Sequence, residues 1–104
     1  MPSRHPTLAA TMAKSAIDQD LQSVITHIAD GCAKVAVALR TSIVKKARAT
    51  NEFGDEVLSV DLISDSLIGS ALRECKAVRG YASEEVPKLQ LAHDTGRFLV
   101  AFDP

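Results

Sequence analysis

The sequence lacks a surplus of charge of either sign. Its 12 Lys and Arg nearly balance 13 Asp and Glu, for a formal net charge of -1. Proteins that hold nucleic acid or an anionic membrane through bulk charge carry a basic excess, so neither partner is expected. Long apolar runs are missing too, and none approaches the roughly 20 residues that span a bilayer. Cysteine is scarce. Cys32 and Cys75 stand far apart, each on the apolar face of a helical pattern. Both read as reduced core residues of an intracellular protein. There is no internal repeat and no low-complexity tract. With 24% charged and 46% hydrophobic residues in 104, the chain reads as one small globular domain, or a piece of a larger one.

Periodicity supplies the elements. Met1 to Ile17 carries Arg4 and Lys14 but no acid, a weak likeness to a transit peptide. Thr7 to Ala13 also reads as a helix, and the helix is the preferred reading. From Leu21 the apolar positions Val24, Ile25, Ile28, Ala29, Cys32, Val35, Ala36, Leu39 and Ile43 have helical spacing. Asp18 suits the N-cap, and Asp20 the first turn near the positive end of the dipole. Ala33, Val37 and Ala38 widen the apolar face, so this half is expected to be buried on more than one side. Arg40, Lys45, Lys46 and Arg48 suit the helix's C-terminal end. After the polar loop Thr50 to Glu56, a second helix is marked by Val60, Ile63, Leu67, Ile68, Ala71, Leu72 and Cys75, starting at Ser59 or Asp61. Ala77 to Ala82 and Phe98 to Phe102 then read as strands, with Pro87, Asp94 and Gly96 punctuating the connection. Helices followed by strands predict an α/β (α+β) layered design.

The informative residues are acids at element ends. Glu84-Glu85 closes one apolar strand and Asp103 the other, while Asp55 and Asp61 flank the entry to the second helix. If the strands run parallel, Glu84, Glu85 and Asp103 emerge at one edge of the sheet. A connection of about a dozen residues is barely long enough for that. If the strands form a hairpin, Glu84 and Asp103 lie at opposite ends. Periodicity leaves both open. Parallel pairing would gather hard oxygen ligands beyond the carboxyl ends of strands, a donor set that suits Mg²⁺ or Mn²⁺. The plain alternative is solvated turn acids.

Four blocks in register carry a resemblance: Asn51-Glu52-Phe53-Gly54-Asp55-Glu56, Val60-Asp61, Ser83-Glu84-Glu85, and Val100-Ala101-Phe102-Asp103-Pro104. Together they resemble the N-terminal part of the class I fructose-1,6-bisphosphatase family, from about Thr7 onward. Tyr81 and Ser83-Glu84-Glu85-Val86-Pro87, followed by Leu89-Gln90, look most like its sedoheptulose-1,7-bisphosphatase branch. The resemblance implies a layered α-β-α-β-α fold with the two strands parallel. It implies Glu84, Glu85, Asp103 and Asp55 as ligands of Mg²⁺, with Mn²⁺ possible. It further implies Asp55, Asp61 and Glu85 as catalytic residues, a sugar bisphosphate substrate, and a homo-oligomer (dimer or tetramer). On this resemblance residues 1–104 form the N-terminal portion of the domain, stopping inside an Asp-Pro-Leu-Asp-Gly-Ser-Ser motif and inactive alone. A non-catalytic piece that pairs with full-length subunits is the alternative. The expected compartment is the cytoplasm, with a plastid as the alternative.

Family control devices are not expected. Where animal members carry a Gly-Thr-Gly-Glu turn for AMP, this chain has Ser15 to Asp20. Where plastid sedoheptulose members carry a cysteine pair, Val44 to Thr50 has none. Other residues have plain readings. His27 is a solvated or capping residue, Lys45-Lys46-Ala47-Arg48 a helix-end charge cluster, and Asp65 a helix-surface acid.

Overall fold

The computed structural model describes residues 5–41 and 56–104. Helix α1 spans Leu8–Lys14, α2 Gln19–Leu39 and α3 Glu56–Glu74. Strands β1 (Val78–Ser83), β2 (Gln90–Leu91) and β3 (Phe98–Phe102) form one sheet in the order β2-β1-β3. The architecture is α+β, with helices covering one face of a small mixed sheet.

Local chemistry explains the helix starts. Thr7 caps α1 by accepting from the Ala10 amide at 3.0 Å. Asp18 caps α2 by accepting from the Asp20 and Leu21 amides at 3.0 and 3.3 Å. Arg97, from the far end of the chain, binds Asp18 at 3.0 Å and Asp20 at 3.2 Å, pinning the start of α2 to the approach to β3. That guanidinium holds the Asp18 carboxyl below the usual carboxylate range, helped by the two capping amides.

Helix α2 buries Val24, Gly31 and Ala38, a seven-residue spacing that makes one seam against α3. Gly31 sets the closeness: a Cβ there would lie 3.1 Å from that of Ala71 and 3.4 Å from the Ile68 Cα. Cys32, one residue round from this seam, is exposed rather than core. Cys75 is buried as expected, with its Sγ 3.5 Å from Ser23 Oγ, and both thiols are free. The expected burial past Gly31 is also corrected. Of the described residues 32–41, only Ala38 is buried. Ala33 and Val37 are exposed and, with Ile63 and Leu67 of α3, line an open apolar groove of about 590 Å³. Helix α3 begins at Glu56, ahead of the expected Ser59 or Asp61.

The sheet packs on the helices through Val24, Leu72, Cys75, Ala77, Val78 and Tyr81, with Phe98, Val100 and Phe102 against them. Alternation along β3 turns Leu99 to the opposite, open face, where Leu91 of β2 is also exposed. Strands β1 and β3 are parallel, in register from Val78–Phe98 to Ser83–Phe102. The short connection manages this without a crossover helix because it returns as an antiparallel strand. β2 runs back beside β1, pairing Tyr81 with Gln90, and the chain then crosses beneath the start of β1. At that crossing Arg97 and Phe98 both donate to the Ala77 carbonyl at 3.0 Å, which produces the register irregularity between Val78 and Gly80. Sequence periodicity did not reveal β2, because two residues are too few to show a period.

Candidate active site

Parallel pairing decides the question the acids posed. Glu84 follows β1 directly and Asp103 follows β3, so both leave the same edge of the sheet. The Glu84 amide donates to the Phe102 carbonyl at 3.2 Å, carrying the ladder one step past the strands. Glu84 and Asp103 are exposed, Glu85 is half-buried, and Asp61 stands half-buried on α3. Asp55 lies outside the described residues, as does Lys45-Lys46-Ala47-Arg48.

The carboxyl of Glu84 feels its acidic neighbours. Its carboxyl is pushed above the ordinary value first by a hydrogen bond shared with Asp103 and by repulsion from that carboxylate. Burial adds a little, followed by repulsion from Glu85 and Asp61. Three acids, Asp103, Glu85 and Asp61, from three elements therefore bear on the Glu84 carboxyl. Among the described residues no three His, Cys, Asp or Glu side chains stand together as a ready metal cage.

The turn that presents the glutamates is closed by Ser83. Its amide donates to the Val86 carbonyl at 3.3 Å, and its Oγ accepts from the Val86 amide at 3.1 Å. The Ser83 hydroxyl donates in turn to Asp65 on α3. Asp65 is thus half-buried and engaged, not the surface acid its position one turn past Asp61 suggests. Nothing in the periodicity separates the two cases, because a polar residue within a helix looks alike whether or not a serine faces it.

Beside this link lies a polar pocket of about 230 Å³ walled by Asp65, Gly69, Arg73, Tyr81, Ser83 and Gln90. Arg73 donates to the Tyr81 hydroxyl and, at 2.9 Å, to Ser70 Oγ. His27 keeps its plain role, its Nδ1 bonded to the Ser23 carbonyl at 2.8 Å within α2. No helix among the described residues is long and apolar enough to cross a membrane.

A small mixed sheet thus lies under the helices, with acids collected beyond the ends of its parallel strands. Residues 7–104 match the family described as Fructose-1-6-bisphosphatase, N-terminal domain, and the chain belongs to that family. It is 34% identical over 98 residues to the chloroplastic sedoheptulose-1,7-bisphosphatase of Chlamydomonas reinhardtii, a match covering 94% of this chain and 25% of that protein. The chloroplastic sedoheptulose-1,7-bisphosphatase of Triticum aestivum is 33% identical over 100 residues, with 94% and 25% covered. A fructose-1,6-bisphosphatase class 1 of Campylobacter jejuni is 29% identical over 84 residues, with 81% and 30% covered. The chain thus spans between a quarter and three tenths of the length of these relatives.

Proposed function

We propose that this chain supplies the carboxylate edge of a Mg²⁺-dependent sugar bisphosphatase, Mn²⁺ being the other fitting ion. The reaction is hydrolysis of the 1-phosphate of sedoheptulose 1,7-bisphosphate or fructose 1,6-bisphosphate. The observation that carries this reading is the carboxyl pair of Glu84 and Asp103 at the ends of parallel strands, with Glu85 and Asp61 adding to the same negative potential. Such a group of acids is costly unless cations or protons neutralise it.

Glu84, Glu85, Asp103 and Asp55 would hold the ion, since hard carboxylate oxygens are the donors that Mg²⁺ and Mn²⁺ prefer. When bound, the metal supplies charge neutralisation of the phosphate and acidification of water. The chain's own residues do the rest. Asp61, raised on the first turns of α3, offers a carboxylate oxygen to orient the attacking water and take its proton, together with Asp55. Glu85, half-buried beside the exposed Glu84, is the third catalytic carboxylate in this reading.

The test is a chimera. Residues 7–104 replace the matching segment of the Campylobacter jejuni enzyme, and phosphate release is followed with and without Mg²⁺. Metal-dependent turnover, lowered by several orders of magnitude in Asp61→Ala, is the expected result. A folded chimera without turnover, or with turnover unchanged in Asp61→Ala, contradicts the proposal.

The open groove between α2 and α3 favours a second reading for the same chain. Its apolar lining of Val37, Ile63 and Leu67 suits helix pairing with another subunit of a dimer or tetramer.

A further inference from the structure

We infer that Asp65 is a positioning residue for the carboxylate edge: through Ser83 it fixes the Glu84–Glu85 turn against the helix that carries Asp61. The two halves of the proposed site sit on separate elements. Asp61 belongs to α3, while Glu84 and Glu85 belong to the turn after β1. Backbone pairing holds that turn to β3 through the Glu84 amide and the Phe102 carbonyl, but it does not reach α3. The Ser83–Asp65 hydrogen bond does.

The chemistry suits a clamp. Ser83 is buried, with 6% exposure, and its hydroxyl has two simultaneous duties. It accepts from the Val86 amide at 3.1 Å, closing the turn, and donates its proton to Asp65. A hydroxyl that accepts from one side and donates to the other is fixed in rotation. Asp65 lies one helical turn beyond Asp61, so both acids rise from one face of α3. Orientation of Ser83 by Asp65 is therefore also orientation of Glu84 and Glu85 relative to Asp61. Among the described residues no buried side-chain nitrogen or oxygen lacks a hydrogen-bond partner, so loss of Asp65 would leave the Ser83 proton unsatisfied.

The functional half of this inference rests on the metal reading above, and the experiment separates the two. The 104-residue chain is prepared as wild type, Asp65→Ala, Asp65→Asn and Ser83→Ala. Amide exchange is measured at Glu84 and Val86, with Leu72 in the core as the folding control. Mn²⁺ titration then reports binding through broadening of the Glu84 and Glu85 signals. Asp65→Ala should speed exchange at Val86 about tenfold, the equivalent of one hydrogen bond, and weaken Mn²⁺ binding by a similar factor. Asp65→Asn should restore both, because its amide oxygen accepts the same bond. Ser83→Ala, a smaller change, should reproduce the Asp65→Ala exchange effect. Unchanged exchange in both alanine variants, or Asp65→Asn behaving like Asp65→Ala, overturns the inference. Variants that show the exchange effects, with a wild type that does not bind Mn²⁺ at the glutamates, support the clamp and contradict the metal reading instead.

Discussion

A Cβ on Gly96 would lie 2.5 Å from the carbonyl carbon of Val78 and 2.4 Å from the amide nitrogen of Arg79. The chain crosses beneath the start of β1 at backbone contact, and only glycine fits. This crossing returns β3 parallel to β1, and the parallel pairing in turn brings Glu84 and Asp103 to one edge.

Gly96→Ala should therefore be among the most damaging substitutions in the chain. The obstacle is backbone, which cannot give as a flexible side chain can, so the expected loss is about 3 kcal/mol or more. Denaturant unfolding measures it. A loss no larger than that of an exposed surface substitution would mean that the crossing is not tightly packed.

Much of this arrangement was legible in the sequence. Asp18 as a cap, the span Phe98 to Phe102 and burial of Cys75 all follow from spacing and side-chain chemistry. The rest depended on tertiary partners. Cys32 fits the apolar pattern, but it lies one residue round from the buried seam of Val24, Gly31 and Ala38 and is exposed. Asp65 acquires its role only from Ser83, 18 residues further on. The choice between parallel strands and a hairpin was settled by the crossing at Gly96, which no local pattern encodes.

Thiol chemistry checks that seam. Exposed Cys32 should react quickly with a thiol reagent, while buried Cys75 reacts only as the fold opens. Equal rates under native conditions would show that α2 is rotated from the position described.

Asp18 gives a pH test. Its folded carboxyl is held low by Arg97 and the capping amides, so its contribution is present above the unfolded carboxyl value. It is lost as pH falls through the folded one. Asp18→Ala should lower the melting midpoint near neutral pH and converge with wild type in acid. A constant difference across that range would mean that ionisation of Asp18 does not support the helix start.

Glu84 carries the opposite sign. A carboxyl raised in the fold contributes fully below its unfolded value, and that contribution is lost as pH rises through the folded one. Glu84→Gln should match wild type in acid and be equally or more stable at neutral pH without metal. A less stable neutral-pH variant would mean that the charge is satisfied by the protein alone.

Open apolar surface should show itself in solution. Leu91 is 76% exposed and Leu99 65% on the uncovered face of the sheet, with Val37 and Leu39 exposed on α2. The 104-residue chain should bind a hydrophobic dye and self-associate as concentration rises. A monomer at all concentrations that leaves the dye dark would show that these faces are covered.

The most direct measurement of the central claim is paramagnetic broadening of the amide spectrum by Mn²⁺. If Glu84, Glu85, Asp103 and Asp61 form one cation-attracting edge, their signals should broaden first and together, and Mg²⁺ should reverse the effect. The exposed acids Asp30 and Asp94, elsewhere on the surface, should be spared at the same concentration. Uniform broadening of every exposed acid, or broadening centred away from the ends of β1 and β3, would contradict a metal site at this edge.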